Sequence, residues 1–305
     1  MGRKVALIGP STLMVSLPSR WVKEQQIKKG DEVDVIEKEQ SLIISNKPSL
    51  KVIEKTSVHL DNLNTSLAWY YLTAAYRSGA EEISIHFVKD SIQDATQETT
   101  VSMFDFLKSV VDSFIGMEII RNSNTQYVVR EISSLKEGEF ATMQRRIFFS
   151  ITNMFDDILL AIKKNDQKLL QHIFEHSDIN INKFSDYCIR IISKTTTLHQ
   201  TLYTVIIQLE EMGDALKYIA ANLTKEKATK EVIEVINALK TVFSLVEKFY
   251  YSLSKEVLIE FEEQRRFLRK KLFSLPRSSN QAIPMLISKM ANQSLSIINA
   301  KLLQE

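Results

Sequence analysis

The chain has 305 residues, with 39 lysines and arginines against 37 aspartates and glutamates, so its formal net charge of +2 excludes a chain-wide polyelectrolyte. One cysteine, Cys188, excludes an intramolecular disulfide and a multi-cysteine metal site. No apolar run approaches the roughly 20 residues that span a bilayer, which predicts a cytoplasmic chain without membrane insertion.

Residues 1–48 read as a small β-rich module. Val5 and Leu7, then Leu13, Val15 and Leu17, alternate with smaller or polar residues, the pattern of half-buried strands. Gly9-Pro10-Ser11-Thr12 supplies the turn between them. After Pro18 a short helix is predicted from Arg20 to Gln26, with Trp21 and Val22 on its apolar side and Lys29-Gly30-Asp31 ending it through a left-handed glycine. Val33 and Val35, then Leu42, Ile43 and Ile44, form a second hairpin around a polar tip at 37–41. Two hairpins, 3–17 and 33–45, bury too little surface to fold alone, and a symmetric dimer sharing one barrel supplies the missing half. Arg3, Lys4, Arg20, Lys23, Lys28 and Lys29 face a single acid, Glu24. Such a cluster is either a phosphate-binding face or a solvated one.

"VSLPSRW" at 15–21, "IKKGDEVDV" at 27–35 and "SLII" at 41–44 resemble the AbrB/SpoVT swapped-hairpin DNA-binding domain. The resemblance covers residues 3–47 and is most specific in the spacing of Pro18 and Gly30-Asp31. It implies an intertwined homodimeric barrel, with Arg3, Lys4, Arg20 and Lys23 on the DNA backbone of an unspecified operator. Met14 departs from members that carry arginine on the second strand.

Residues 49–136 are expected to form an α/β connector. A helix over 61–78 is predicted, with Asp61 as cap, Leu63, Leu67, Tyr70, Tyr71 and Ala74 at helical spacing, and Gly79 ending it. A strand with Ile83, Ile85 and Phe87 follows, then a helix over 91–114 with Val101, Phe104, Leu107, Val110, Val111 and Phe114 inward, then strands over 117–120 and 127–132. The run Trp69-Tyr70-Tyr71 suits a ligand platform or, more commonly, a core. Spacing and dimer contact are the roles expected of this segment.

Residues 137–305 carry strong helical periodicity, read as six helices. The first holds Ile147, Ile151, Met154, Ile158 and Ile162; the second, Leu170, Ile173, Phe184, Cys188 and Ile191, with Cys188 as core filler. Leu198, Leu202, Val205, Leu209, Met212, Leu216, Ile219 and Leu223 make a heptad seam. Val232, Val235, Leu239, Val242, Val246, Phe249 and Leu253 make another, and helices over 255–274 and 280–303 complete a bundle. Asp166 and Ser254 each open a middle helix after a long first one, a weak internal repeat. Arg265, Arg266, Arg269, Lys270 and Lys271 form a second basic cluster, explained by their place near a helix C-terminus.

Within "LEEMGDALKYIA" at 209–220, Glu210 and Asp214 lie one turn apart, directed away from the 209/212/216 seam. They read as a solvated acidic face, with Lys217 relieving the repulsion, or as half of a metal site. This stretch resembles the signature of the PhoU family, with Glu210, Asp214, Ile219 and Ala220 in matching places and Glu211 where arginine is usual. "FIGMEII" at 114–120 and "RRI" at 145–147 resemble archaeal PhoU-type regulators, which join an AbrB-like head to such a bundle. The resemblance implies two three-helix repeats and a role in phosphate uptake. PhoU acidic motifs hold multinuclear metal clusters, but here Asp178 and Asn182, and Ser288 and Asn292, stand where further acid pairs belong. What it implies is a weak, mononuclear site for a divalent metal or iron at Glu210 and Asp214.

The function expected is a dimeric DNA-binding regulator of phosphate homeostasis with a sensing bundle. The alternative is an adaptor acting on a phosphate transporter or its regulatory proteins, with the head serving only dimerisation. An enzyme is not expected. No phosphate loop, nucleophile elbow or Cys–His arrangement occurs, and of His59, His86, His172, His176 and His199 only His172 and His176 share a helical face.

Overall fold

The structure, a computed structural model, describes residues 3–8, 12–38, 41–45, 55–133, 138–195, 198, 200–275 and 281–304. The chain divides into two units, Met1–Ile53 and Glu54–Glu305, and is mainly helical with a small N-terminal β module.

In the first unit, β1 (Val5–Ile8) and β2 (Thr12–Val15) pair antiparallel with Val5 opposite Val15. The short α1 (Ser19–Glu24) follows, and β3 (Asp34–Lys38) pairs antiparallel with β4 (Ser41–Ser45). The turn residues 9–11 and 39–40, and the boundary at Pro48, lie outside the described residues. Pro18 occupies the cap position of α1, where its missing N–H costs nothing. The left-handed residue that follows this helix is Gln26 (φ 55°), not the expected Gly30. Gly30 (φ 98°) instead turns the chain between Lys28 and Asp31, where the Asp31 N–H donates to the Lys28 carbonyl at 3.1 Å.

The second unit begins with β5 (Lys55–His59), α2 (Thr65–Arg77) and β6 (Glu82–His86), a parallel strand pair joined by a helix. The short hairpin β7 (Ser91–Gln93) and β8 (Thr100–Ser102), α3 (Met103–Val111), β9 (Met117–Asn122) and β10 (Gln126–Glu131) complete it. The sheet order is β5-β6-β10-β9, with β10 antiparallel to both neighbours. Ile83, Ile85 and Phe87 are buried, as their alternation predicts.

Two connector expectations are corrected. The helix expected over 91–114 is a hairpin followed by a shorter helix. Asp94 Oδ1 accepts from the Thr96 and Gln97 backbone N–H groups and the Thr96 hydroxyl, so a side-chain turn outcompetes the helix there. Phe104, expected inside, is exposed, and Met103 and Phe106 are buried instead. In α2 the cap is Asn64, whose Oδ1 accepts from the Leu67 N–H at 3.0 Å, while Asp61 bonds the Val88 N–H. Its buried face is Ala68, Leu72, Ala75 and Tyr76, which turns Leu67, Tyr70 and Tyr71 out to solvent.

The remaining helices are α4 (Glu139–Lys164), α5 (Gln167–His176), α6 (Ile179–Lys194), α7 (Thr201–Leu223), α8 (Lys230–Ser252), α9 (Lys255–Phe273) and α10 (Ala282–Leu302). That makes seven among the described residues in place of the expected six, because a break at Ser177-Asp178 splits the second into α5 and α6. Every α7 seam residue from Leu202 to Leu223 is buried, and Cys188 is fully enclosed, its thiol pushed up by burial.

The α4–α5 and α8–α9 joints are built alike. Asn165 and Leu253 each adopt φ 51°, and the next residue, Asp166 or Ser254, caps the following helix through its side-chain oxygen. Leu253 belongs to the expected α8 seam, but the left-handed turn carries it out, 36% exposed. Asparagine tolerates this backbone region, whereas leucine is strained by about 1 kcal/mol or more. Leu253→Gly is therefore expected to stabilise the chain by about 0.5–1 kcal/mol in urea titration, net of the unfolded-state entropy of glycine. Asn165→Gly should change it less.

Candidate functional site

The head carries its basic residues on exposed backbone. Arg3 Nη1 donates to Ser16 Oγ across the first hairpin at 3.0 Å, and Lys4 is exposed beside it. Arg20 Nε pairs with Glu24 at 2.8 Å along α1, with 90% of the arginine side chain exposed. A pair so exposed is worth at most about 1 kcal/mol, so a phosphate can replace Glu24 as partner. Lys23 lies in the last turn of the same helix. The apolar residues of the hairpins are equally exposed: Leu7 at 65%, Leu13 at 69% and Leu42 at 63%, and α1 buries no residue. The half-buried pattern of the strands is thus largely unmet among the described residues of the head.

The second candidate is the acidic stretch on α7. Leu209, Met212 and Leu216 are buried, and Gly213 lets α6 approach closely, since a Cβ there would lie 2.8 Å from Ile181 Cδ1. Glu210 does not face open solvent. Both of its oxygens accept from Arg77 Nη2, at 3.0 and 3.1 Å, while Arg77 Nε donates to Asp186 Oδ1 at 2.6 Å. One guanidinium from α2 therefore ties α6 to α7. Burial raises the Glu210 and Asp186 carboxyls above their ordinary range, with Arg77 pulling each of them down. Asp178 is enclosed and pairs with Lys217 Nζ at 2.8 Å, so the lysine expected to relieve Asp214 is bonded to another acid. Asn182 donates weakly to that same Asp178 oxygen at 3.4 Å. Asp214 has no hydrogen-bond donor among the described residues, and burial, then Asp178, raise its carboxyl.

These donors do not fit a metal ion. Glu210 is occupied on both oxygens by Arg77, Asp178 is held by Lys217, and Asp214 alone is left. Among the described residues no group of three or more His, Cys, Asp or Glu side chains is placed to hold a metal. Ser288 and Asn292 add no carboxylate on α10, where Lys289 pairs with Glu211 at 3.0 Å and Gln293 donates to that same carboxylate.

Other sequence features fall elsewhere. His172 and His176 share an exposed face of α5, their rings 5.1 Å apart, and His199 lies outside the described residues. Arg265 leaves the basic cluster on α9: it is buried and donates to the Ala291 carbonyl. Periodicity misses a second ionic cluster. Enclosed Arg190 donates to Glu131 at 2.7 Å and to the Tyr76 carbonyl at 2.8 Å, and Lys194 bridges Glu131 and Glu81. Arginine and lysine at 190 and 194, one turn apart at the apolar C-terminal end of α6, are the available signal.

A family model described as antidote-toxin recognition MazE, a bacterial antitoxin, matches residues 7–51. The N-terminal domain is therefore AbrB-like, of the swapped-hairpin class. No curated protein and no solved structure matches the chain. No helix among the described residues is long and apolar enough to cross a membrane.

Arg77→Leu would leave two largely buried carboxylates without a partner, and is expected to cost about 3 kcal/mol in chemical denaturation. A change under about 1 kcal/mol would show the bridge to be incidental. Asp214→Asn should act in the opposite direction. Because the folded carboxyl titrates above its ordinary value, the wild type loses stability as pH rises through that raised range. The variant should be the more stable at pH 7, and the difference should vanish below about pH 4, where the unfolded carboxyl is also protonated.

Proposed function

We propose that the chain is a dimeric, DNA-binding transcription regulator in which the helical unit receives the signal. The observation that carries this reading is the incomplete head. Its two hairpins form separate two-stranded sheets with apolar residues exposed, which water tolerates poorly and a second copy would cover. The match of residues 7–51 to a swapped-hairpin family supports the same arrangement. Two copies double the basic face formed by Arg3, Lys4, Arg20 and Lys23, and phosphate contacts from such a face bind DNA with strong salt dependence.

The process regulated is phosphate uptake. This part rests on the resemblance of 209–220 to the PhoU signature and on the order of parts, an AbrB-like head before a helical bundle. One observation favours the adaptor as a second reading: Arg20 is paired with Glu24, which offsets part of the charge α1 can offer to DNA. Gel shifts on DNA upstream of phosphate-transport genes separate the two, since the adaptor leaves that DNA unbound at every salt concentration.

Two outcomes are expected of the full chain. Leu13→Asp should convert a sedimenting dimer to monomer and abolish DNA binding, because a charge cannot be buried in the shared core. Replacing Arg20 and Lys23 by alanine should leave the dimer intact and weaken binding to all sequences. It should also flatten the salt slope by about one unit for each phosphate that the protein no longer neutralises. An unchanged slope would reduce these charges to a solvated face.

A further inference from the structure

The aromatic run of α2 faces outward, and that reversal leads to a site. Trp69, Tyr70, Thr73 and Arg77 lie along one side of α2, and with Ser193 of α6, and Tyr203 and Glu210 of α7, they line a cleft of about 560 Å³. That volume lies within the range of small-molecule sites, which typically combine aromatic walls with a few placed polar groups. Trp69, Tyr70 and Tyr203 are 37%, 68% and 47% exposed, a grouping of large aromatic surface left open to solvent among the described residues.

The charge of the walls selects the ligand. Arg77 is the one basic group among the described residues lining the cleft, and its Nε and Nη2 are already committed to Asp186 and Glu210. One cation against two carboxylates leaves the triad at a net charge of −1. An anion would meet Glu210 with no uncommitted lysine or arginine among the lining residues. A wholly apolar ligand would strip water from the Arg77–Glu210 pair and replace none of its hydrogen bonds. A positive charge on an apolar body is attracted by the aromatic faces, and Asp186 and Glu210 together outweigh by one charge the Arg77 that repels it. The hollow on the other side of the Trp69–Tyr70 ridge has the same polarity, lined by Asp94 and Asp105 and, among the described residues, by no basic one.

We infer that the cleft between α2, α6 and α7 binds a small organic cation, an ammonium or amidinium group on an aromatic or aliphatic body. The cation seats against Trp69, Tyr70 and Tyr203 with Glu210 as its counter-ion. This goes beyond the DNA-binding reading and does not depend on it, because the site lies wholly within the second unit.

Isothermal titration of the full chain with benzyltrimethylammonium tests the assignment, with benzenesulfonate and inorganic phosphate as the anionic comparisons. The expected result is saturable binding of one benzyltrimethylammonium per chain and no saturable heat from either anion. Tyr203→Ala should weaken the binding about tenfold. Glu210→Gln should weaken it as well. Because that change also disturbs the Arg77 bridge, exposed Tyr203 carries the test. Saturable binding of benzenesulfonate or phosphate at this cleft, equal affinity in Tyr203→Ala, or no saturable heat from the cation would each overturn the inference. None of these outcomes bears on the gel shift that decides DNA binding.

Discussion

Taking a carboxylate out of water costs several kcal/mol unless a cation and hydrogen bonds go with it. Asp186 and Glu210 stand on adjacent helices of the second unit, and both are met by one side chain, Arg77 of α2. The planar fork of a guanidinium suits this task better than an ammonium, because Nε and Nη2 point to different acids at once. Removing the arginine leaves both acids unpaired, whereas removing either acid leaves a one-to-one pair, so the three residues act as one thermodynamic group. The placement of α2 on α6 and α7 depends on this bridge, and so does the shape of the cleft beside it.

A second ionic group continues the same joint. Arg190 is enclosed, sits over the ring of Tyr76 at 4.9 Å from its centroid, and holds Glu131 at the end of β10. Burial raises Glu131, yet Lys194 and Arg190 outweigh it and hold the carboxyl below its ordinary range. The sheet is thus fastened to α6 by charge, whereas α4, α7, α8 and α10 meet through Ile, Leu, Val and Phe. Of the four buried side-chain atoms without a hydrogen-bond partner among the described residues, three belong to Thr73, Asn182 and Ser185 on α2 and α6. Unsatisfied polar atoms lower the cost of rearrangement at a joint, because they have no bonds to lose. The fourth is Gln293 Oε1 on α10 of the bundle.

Much of this is legible in the sequence where one period governs one element. The α7 seam, the two hairpins and the caps at Asp166 and Ser254 follow from spacing and side-chain chemistry alone. The face of α2 does not follow, since Leu67, Tyr70 and Tyr71 have the right period and the wrong phase. Ala68, Leu72, Ala75 and Tyr76 are buried instead, and periodicity carries no information about which of two apolar stripes meets the core. The helix expected over 91–114 fails for a local reason, the side-chain turn at Asp94. Glu210 stands out in the sequence as a chemical residue, but its partners do not, because Arg77 lies 133 residues away and Asp186 belongs to another helix. Ion pairs at such separations leave no periodic trace.

The two units solve the burial problem differently, and this bears on how a signal would act. The second unit encloses its own core; on the proposed reading the head takes surface from another chain, so its folding and association would be one equilibrium set by concentration. On the same reading, a ligand in the helical unit would change DNA occupancy only to the extent that it binds two arrangements of that unit unequally. The apolar bundle offers few alternatives, because close-packed helices resist any shift that opens voids between them. The ionic joint around Arg77 can exchange partners among Asp186, Glu210 and water. Differential affinity therefore has a physical source where α2 meets α6 and α7, and a cation competing with Arg77 for Glu210 acts at that point.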